Sequence, residues 1–97
     1  MNTRLSRAVH LVERLIRDGV VSEDDLAREL IVRPQTLSAY RAGTIPMPMD
    51  RQLCLALLMI GLSGEYARMG YALRAQLLAA THYELRLDRA GKLPTHP

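Results

Sequence analysis

Apolar residues recur at three- and four-residue steps along most of the chain, which is the spacing of one face of an α-helix. The first such stretch predicts a helix over residues 3–18, and Asp18 with Gly19 ends it. Its apolar positions are Leu5, Val9, Leu11, Val12, Leu15 and Ile16. The pattern therefore predicts an amphipathic helix at the start of the chain.

Residues 22–43 predict two short helices joined by a tight turn. Ser22 is a good N-terminal cap, and Asp25 follows three positions later as a short version of the capping-box acid. Pro34 suits the first position of the second helix, and Gly43 suits its C-terminal end. A connection this short favours two crossed helices, as in a helix-turn-helix unit.

Two further helices are predicted after a proline-containing loop at residues 44–49. The fourth begins at Pro48 or Asp50, ends near Ile60 and is apolar nearly all round, which predicts burial on several sides. The fifth spans residues 63–90 with Ser63 as a possible cap, and a frayed tail follows at 92–97. Gly70 either splits this long helix or allows close packing. The predicted fold class is all-α, a bundle of about five helices with a long C-terminal helix.

Length and charge describe one small, mildly basic domain. The chain has 97 residues and a formal charge of +3, with 13 basic residues, all but Lys92 arginine, against 10 acids. This balance is compatible with nucleic acid but equally with ordinary solvated helix faces. Glu23, Asp24 and Asp25 make the first turn of the second helix acidic, so we expect that turn to face away from any phosphates.

The sequence offers little for catalysis, metal binding or membrane insertion. It has no nucleophile elbow, glycine-rich phosphate loop or paired carboxylates, and His10, His82 and His96 share no metal-ligand spacing with Cys54. A lone cysteine in an apolar segment predicts a buried thiol in a reducing compartment. The longest apolar run, residues 53–62, is about half of a membrane span, and the N-terminus lacks a signal-peptide core. We expect a cytoplasmic, non-enzymatic protein without a cofactor, metal or small-molecule substrate.

The small and apolar positions of residues 22–43 resemble those of phage-repressor-like (Cro/repressor, XRE-type) helix-turn-helix domains. They are Leu26, Ala27, Leu30, Val32, Leu37, Tyr40 and Gly43. The resemblance covers residues 5–62 and implies a DNA-binding domain over 1–62, whose helix at 34–42 enters a major groove. Residues 63–97 are then a C-terminal helical extension and dimerisation element. Two departures are Ile31, where the family usually has glycine, and Pro34 with Ala39, where it often has long polar side chains.

The resemblance also implies which residues contact double-stranded DNA. Arginine pairs with guanine O6/N7 and glutamine with adenine N6/N7, and the start of the recognition helix enters the groove first. Arg33 and Gln35 are therefore predicted base readers, whereas Arg41 and Thr44 suit phosphates. The complete predicted set is Arg33, Gln35, Thr36, Ser38, Arg41 and Thr44.

A homodimer is expected because two recognition helices must reach successive major grooves about 34 Å apart. The predicted dimer contacts lie on the last helix: Tyr66, Met69, Leu73, Leu77 and Tyr83. The alternative is that this helix covers the core of its own subunit. Function also stays open between a sequence-specific transcriptional regulator and a non-catalytic protein-interaction (adaptor) module that keeps the fold but does not read DNA.

Overall fold

The computed structural model describes the backbone of residues 6–92 and the side chains of residues 6–80. It contains five α-helices: α1 (Arg7–Arg17), α2 (Glu23–Glu29), α3 (Pro34–Ala42), α4 (Met49–Ile60) and α5 (Glu65–Lys92). Residues 6–92 contain no strand, which confirms the all-α prediction. None of the described helices combines the length and apolarity needed to cross a membrane.

Serine side chains cap the first two helices. The Ser6 Oγ accepts a hydrogen bond from the Val9 backbone N–H at 3.3 Å, and the Ser22 Oγ accepts one from Asp25 at 3.1 Å. Each bond satisfies an N–H group that has no partner within its own helix. The cap at Ser22 was predicted, whereas α1 begins later than expected, at Arg7. Residues 3–5 of the predicted first helix lie outside the described residues.

Proline and glycine set the bounds of α3 as the sequence predicts. Pro34 occupies its first turn, and Gly43 follows its last residue in the left-handed conformation, with φ of 78°. The Gly43 N–H donates to the Tyr40 carbonyl at 3.2 Å, and the Thr44 N–H donates to the Ala39 carbonyl at 3.0 Å. Glycine adopts this conformation without the steric cost of a Cβ, so the end of the helix pairs the carbonyls of Ala39 and Tyr40.

All five helices contribute to one hydrophobic core. Its buried members are Ala8, Val9, Leu11, Val12, Leu15, Leu26, Ala27, Leu30, Leu37, Tyr40, Met47, Leu55, Ala56, Met59, Leu73 and Leu77. The core continues across the boundary predicted between residues 62 and 63, since α5 supplies Leu73 and Leu77. The prediction that α4 is buried on several sides holds only in part, because Leu57 is 55% exposed.

Gly70 lets α4 and α5 approach closely. A Cβ atom added at this buried glycine would lie 2.8 Å from the Ala56 carbonyl oxygen, the Ile60 backbone nitrogen and the Met59 Cβ. Helix α5 continues through Gly70 from Glu65 to Lys92 without a break. Of the two roles that the sequence allowed for this glycine, close packing is therefore correct.

We predict that Gly70→Ala lowers the free energy of unfolding by about 1–3 kcal/mol, because the added methyl group must push two helix backbones apart. The matched control is Gly61→Ala, where φ is −74° and the nearest atom to an added Cβ, the Leu58 carbonyl oxygen, is 3.4 Å away. That change should leave stability equal or slightly higher. Urea denaturation followed by circular dichroism compares them, and equal stability of both variants would contradict the close approach.

Candidate nucleic-acid interface

The two predicted base-reading side chains are exposed at the start of α3. Arg33 is the residue before the first helical residue, and Gln35 lies in the first turn. Both side chains are exposed, and within the described part of the chain Arg33 forms no ion pair. The exposed ring of Pro34 lies between them in sequence. This end of α3 therefore presents one cation and one amide that are free to meet a partner.

Arg41, in contrast, links three helices. Its guanidinium donates to both carboxylate oxygens of Glu13, from Nε at 2.6 Å and Nη2 at 3.1 Å, and its Nη1 donates to Glu23 Oε2 at 2.6 Å. The side chain is 28% exposed. Two-point pairing between arginine and carboxylate is among the stronger polar contacts in proteins. A phosphate would have to displace two carboxylates from Arg41, so its structural role is to connect α3 with α1 and α2.

The pKa values of this cluster follow from the same contacts. The hydrogen bonds from Arg41 hold the pKa of the Glu13 carboxyl below its usual value of 4.5, and desolvation opposes the shift only in part. The hydrogen bonds to Glu13 and Glu23 in turn raise the pKa of Arg41. Both shifts favour the charged forms of Glu13 and Arg41.

The other predicted DNA contacts divide between exposed and engaged side chains. The Ser38 hydroxyl donates to Glu23 Oε2 at 3.3 Å, and so shares a carboxylate with Arg41. Thr36 is half-buried, and Thr44 is exposed just beyond the end of α3. Of the six, Arg33, Gln35, Ser38 and Thr44 are exposed, but only Ser38 among these four is bonded to an acid.

The acidic first turn of α2 was expected to face away from any phosphates, and in the structure its Glu23 lies directly against α3. Asp25 forms an exposed ion pair with Arg28 at 2.9 Å. Asp24 and Arg33 line the same surface groove, of about 470 Å³, between α2 and the start of α3. The sequence could not show this, since three consecutive acids point in three directions and only the packing of α3 decides which one it meets.

Ile31 occupies the turn between α2 and α3 in the left-handed conformation. Its φ is 59°, and its side chain is 78% exposed. This conformation is rare for a β-branched residue because its Cβ is crowded by the backbone. The turn nevertheless keeps its hydrogen bonds, including Val32 N–H to the Ala27 carbonyl at 3.0 Å. Ile31 thus takes the conformation that glycine would take at this position.

Neighbouring contacts hold the turn in place. Leu30, immediately before Ile31, is fully buried, and Leu37 of α3 is buried on the other side of the turn. Arg51 of α4 donates from Nη1 to the Leu30 carbonyl oxygen, which lies at the end of α2. The strain at Ile31 is therefore sustained by packing and hydrogen bonding on both sides.

The predicted dimer residues on α5 pack mostly within the subunit. Leu73 and Leu77 belong to the core, and Met69 packs against it. The Tyr66 hydroxyl donates to Asp18 Oδ2 at 2.8 Å. The fifth predicted residue, Tyr83, lies outside the residues whose side chains are described. For these four residues the contacts within the subunit are those of the intramolecular alternative.

A polar cluster that sequence reasoning missed fixes the start of α5 to the end of α1. Arg14 donates from Nε to Asp18 at 2.8 Å and from Nη2 to Glu65 at 2.9 Å. The hydrogen bonds from Arg14, and then that from Tyr66, lower the pKa of Asp18. The pairing of Arg14 with Asp18 has the i, i+4 spacing of a helix, but the contacts to α5 depend on the tertiary fold.

The remaining candidate chemistry is sparse. Cys54 was predicted to be buried but is only partly so, and it is a free thiol. Among the residues that the structure describes, no three histidine, cysteine or acidic side chains lie close enough together to hold a metal ion.

Comparison with protein-family models, with curated proteins and with solved structures finds no match to this chain.

We predict that Ile31→Gly raises the free energy of unfolding, by up to about 1 kcal/mol, because glycine adopts positive φ without strain and little apolar burial is lost. Ile31→Asn should give a smaller increase, since asparagine tolerates this conformation. The control is Val20→Gly, a loop valine without positive φ, which should destabilise. Thermal denaturation measures all three, and destabilisation by Ile31→Gly equal to that by Val20→Gly would show that the turn is not strained.

We predict that Arg41→Gln destabilises the protein by about 1 kcal/mol near pH 7, through loss of the ion pairs to Glu13 and Glu23. Because the folded-state pKa of Glu13 is lowered, its stabilising contribution is complete above the unfolded pKa and disappears as pH falls through the folded pKa. The stability difference between wild type and Arg41→Gln should therefore shrink below about pH 4.5. Urea titrations at several pH values measure it.

Arg28→Gln is the matched control, since Arg28 and Asp25 form an ion pair whose side chains are 75% and 57% exposed. It should change stability by less than about 0.5 kcal/mol at every pH. A difference for Arg41→Gln that stays constant from pH 7 to pH 3 would contradict the assigned contacts.

Proposed function

We propose that this chain binds double-stranded DNA sequence-specifically, with α3 in a major groove, and regulates transcription through that binding. The observation that carries the proposal is the exposed Arg33 and Gln35 at the N-terminal end of a helix whose other side is fixed in the core. Leu37 and Tyr40 are buried, and Arg41 is anchored by two carboxylates. A side chain that reads a base edge needs such a rigid support, because its hydrogen bonds depend on distance and angle.

The chemistry of the two exposed side chains suits base recognition. Arg33 can pair with the O6 and N7 atoms of guanine, and Gln35 with the N6 and N7 atoms of adenine. Thr44, exposed beyond Gly43, is the phosphate contact in this proposal. Arg41 acts as a positioning residue in this proposal rather than as the phosphate contact expected from the sequence.

Two local features support a repressor-like helix-turn-helix. The turn residue Ile31 has the positive φ that a glycine would have there, and Gly43 ends α3 in the left-handed conformation. The helix order, with two short helices followed by a more apolar one, also agrees with that resemblance. These features concern backbone conformation and helix order, so they support a helix-turn-helix unit although residue 31 is not glycine.

The second candidate function is a protein-interaction module, and the acids beside α3 favour it. Glu23 contacts Ser38 and Arg41, and Asp24 lines a groove with Arg33. These carboxylates weaken the attraction between this surface and phosphates. Ile31, 78% exposed at the adjacent turn, would suit a protein partner.

A fluorescence-anisotropy titration against a random-sequence duplex pool at two salt concentrations, with selection of the bound fraction, separates the two functions. DNA binding should weaken steeply with salt, because each neutralised phosphate releases counterions. An enriched sequence among the bound duplexes would support the regulator. No binding at low salt would reject DNA binding and favour the interaction module.

We predict that Arg33→Ala and Gln35→Ala each relax preference at one position of the selected sequence, by about 5- to 150-fold for a contact of about 1–3 kcal/mol. Arg68→Ala is the matched control, because it removes the same charge from an exposed site on α5. It should leave sequence preference unchanged. Identical preferences for the Arg33→Ala and Arg68→Ala variants would exclude Arg33 as a base reader.

A further inference from the structure

The groove between α2 and the start of α3 places an acid beside the arginine that is proposed to read a base. Its lining residues are Asp24, Ala27, Arg28, Val32, Arg33 and Pro34. Asp24, Ala27 and Arg28 share one face of α2, since residues three and four apart lie on the same side of a helix. Among the described residues that line this groove, Asp24 carries the only carboxylate. Asp24 and Arg33 therefore border a common space, one from α2 and the other from the start of α3.

The charges of Asp24 and Arg33 are both open to a new contact. Both residues are exposed, and within the described part of the chain neither forms an ion pair. The second arginine of the groove, Arg28, is already engaged by another acid, because its Nη1 donates to Asp25 Oδ1 at 2.9 Å. This pairing leaves Asp24 to interact with Arg33.

The backbone is held in place at both residues. Asp24 lies in the first turn of α2, which the Ser22 side chain caps. Arg33 has φ of −75° and ψ of 150°, the extended conformation favoured before a proline. Its carbonyl oxygen accepts hydrogen bonds from the N–H groups of Thr36 at 2.9 Å and Leu37 at 3.0 Å. The remaining freedom of Arg33 is therefore in its long side chain, so a contact within the groove can restrict where the guanidinium points.

A carboxylate can restrict a guanidinium without blocking a base. The guanidinium of Arg33 has five N–H donors, and the O6 and N7 atoms of guanine accept from two of them. A carboxylate that accepts from the others fixes the plane of the group. In water such an exposed pair contributes little, because solvent screens the charges. When a base edge covers the groove and excludes water, the same attraction becomes stronger. The ordering effect therefore appears when DNA is bound.

We propose that Asp24 is a positioning residue for Arg33 in the DNA complex. Its carboxylate accepts a hydrogen bond from the guanidinium across the groove, and Arg33 presents its other N–H groups to guanine. This role rests on the proposed function, since Arg33 must read a base for its orientation to matter. The charge of Asp24 also repels phosphates, which lowers affinity for every duplex. Asp24 therefore lowers affinity in general and raises the preference for one base.

Fluorescence-anisotropy titration of the full chain with two duplexes tests this role. One duplex carries the selected base at the position whose preference Arg33→Ala relaxes, and the other carries a different base there. Asp24→Asn removes the charge with little change in size. It should lower the ratio of the two affinities by about 3- to 10-fold, as expected for the loss of one hydrogen bond. It should also raise affinity for a duplex of unrelated sequence. Asp24→Glu, which keeps the carboxylate, should retain most of the preference.

Asp25→Asn is the matched control. It removes the same charge from the same turn of α2, but Asp25 pairs with Arg28 and does not line the groove that contains Arg33. It should raise affinity for unrelated duplexes, as Asp24→Asn does, and leave the affinity ratio unchanged. Circular dichroism checks that the variants are folded.

The double variant Asp24→Asn, Arg33→Ala distinguishes a role through Arg33 from a direct contact with DNA. If Asp24 acts through Arg33, Asp24→Asn should not change the affinity ratio once Arg33 is replaced by alanine. An equal effect with and without Arg33 would overturn the positioning role. So would a ratio that Asp24→Asn leaves unchanged, or that Asp25→Asn lowers equally, and in these cases DNA binding itself would stand. A wild type that binds no duplex at low salt would overturn both the positioning role and the proposed function.

Discussion

The orientation of α3 depends on the two carboxylates that hold Arg41. A nine-residue helix is too short to be stable alone, so its position is set by what it contacts. On one side Leu37 and Tyr40 are buried in the core, and at its end Arg41 reaches Glu13 of α1 and Glu23 of α2. These contacts fix α3 in rotation as well as in place. As a consequence, Arg33, immediately before α3, and Gln35, in its first turn, are exposed.

Backbone strain occurs where neighbouring contacts are strong, and a glycine occurs where two helix backbones approach closely. At Ile31 a β-branched residue takes a left-handed conformation, since buried leucines on both sides and the bond from Arg51 hold the turn. At Gly70 the opposite solution is used, because a side chain of any size would separate α4 from α5. At both positions tertiary packing decides the local structure. At Ile31 it acts against the backbone preference of the residue, and at Gly70 it uses a residue that has no side chain.

Signals within a few residues of sequence predicted the helices well, but they could not predict the contacts between helices. The cap at Ser22, the proline start and glycine end of α3, and the stripe containing Leu26 and Leu30 depend on neighbours within a few residues, so the sequence revealed them. The hydrogen-bond partners of Ser38 and Arg41 lie 15 to 28 residues away in sequence, and the spacing of apolar residues does not indicate them. On α5 the helical spacing predicts an apolar stripe, but periodicity alone cannot tell whether that stripe packs inside the subunit or against a second copy. The stripe that the sequence suggested for dimer contacts includes Leu73 and Leu77, which lie in the core of the subunit.

The most direct test of the account is amide chemical-shift mapping of the full chain, titrated with a random-sequence duplex at low salt. If α3 reads DNA, the largest changes should fall at Arg33, Gln35 and Thr44, with small changes along α5. Those changes should diminish as salt is added, since phosphate contacts weaken with ionic strength. An absence of shifts at low salt, or shifts confined to α5, would contradict the central claim that the start of α3 is a DNA-reading surface.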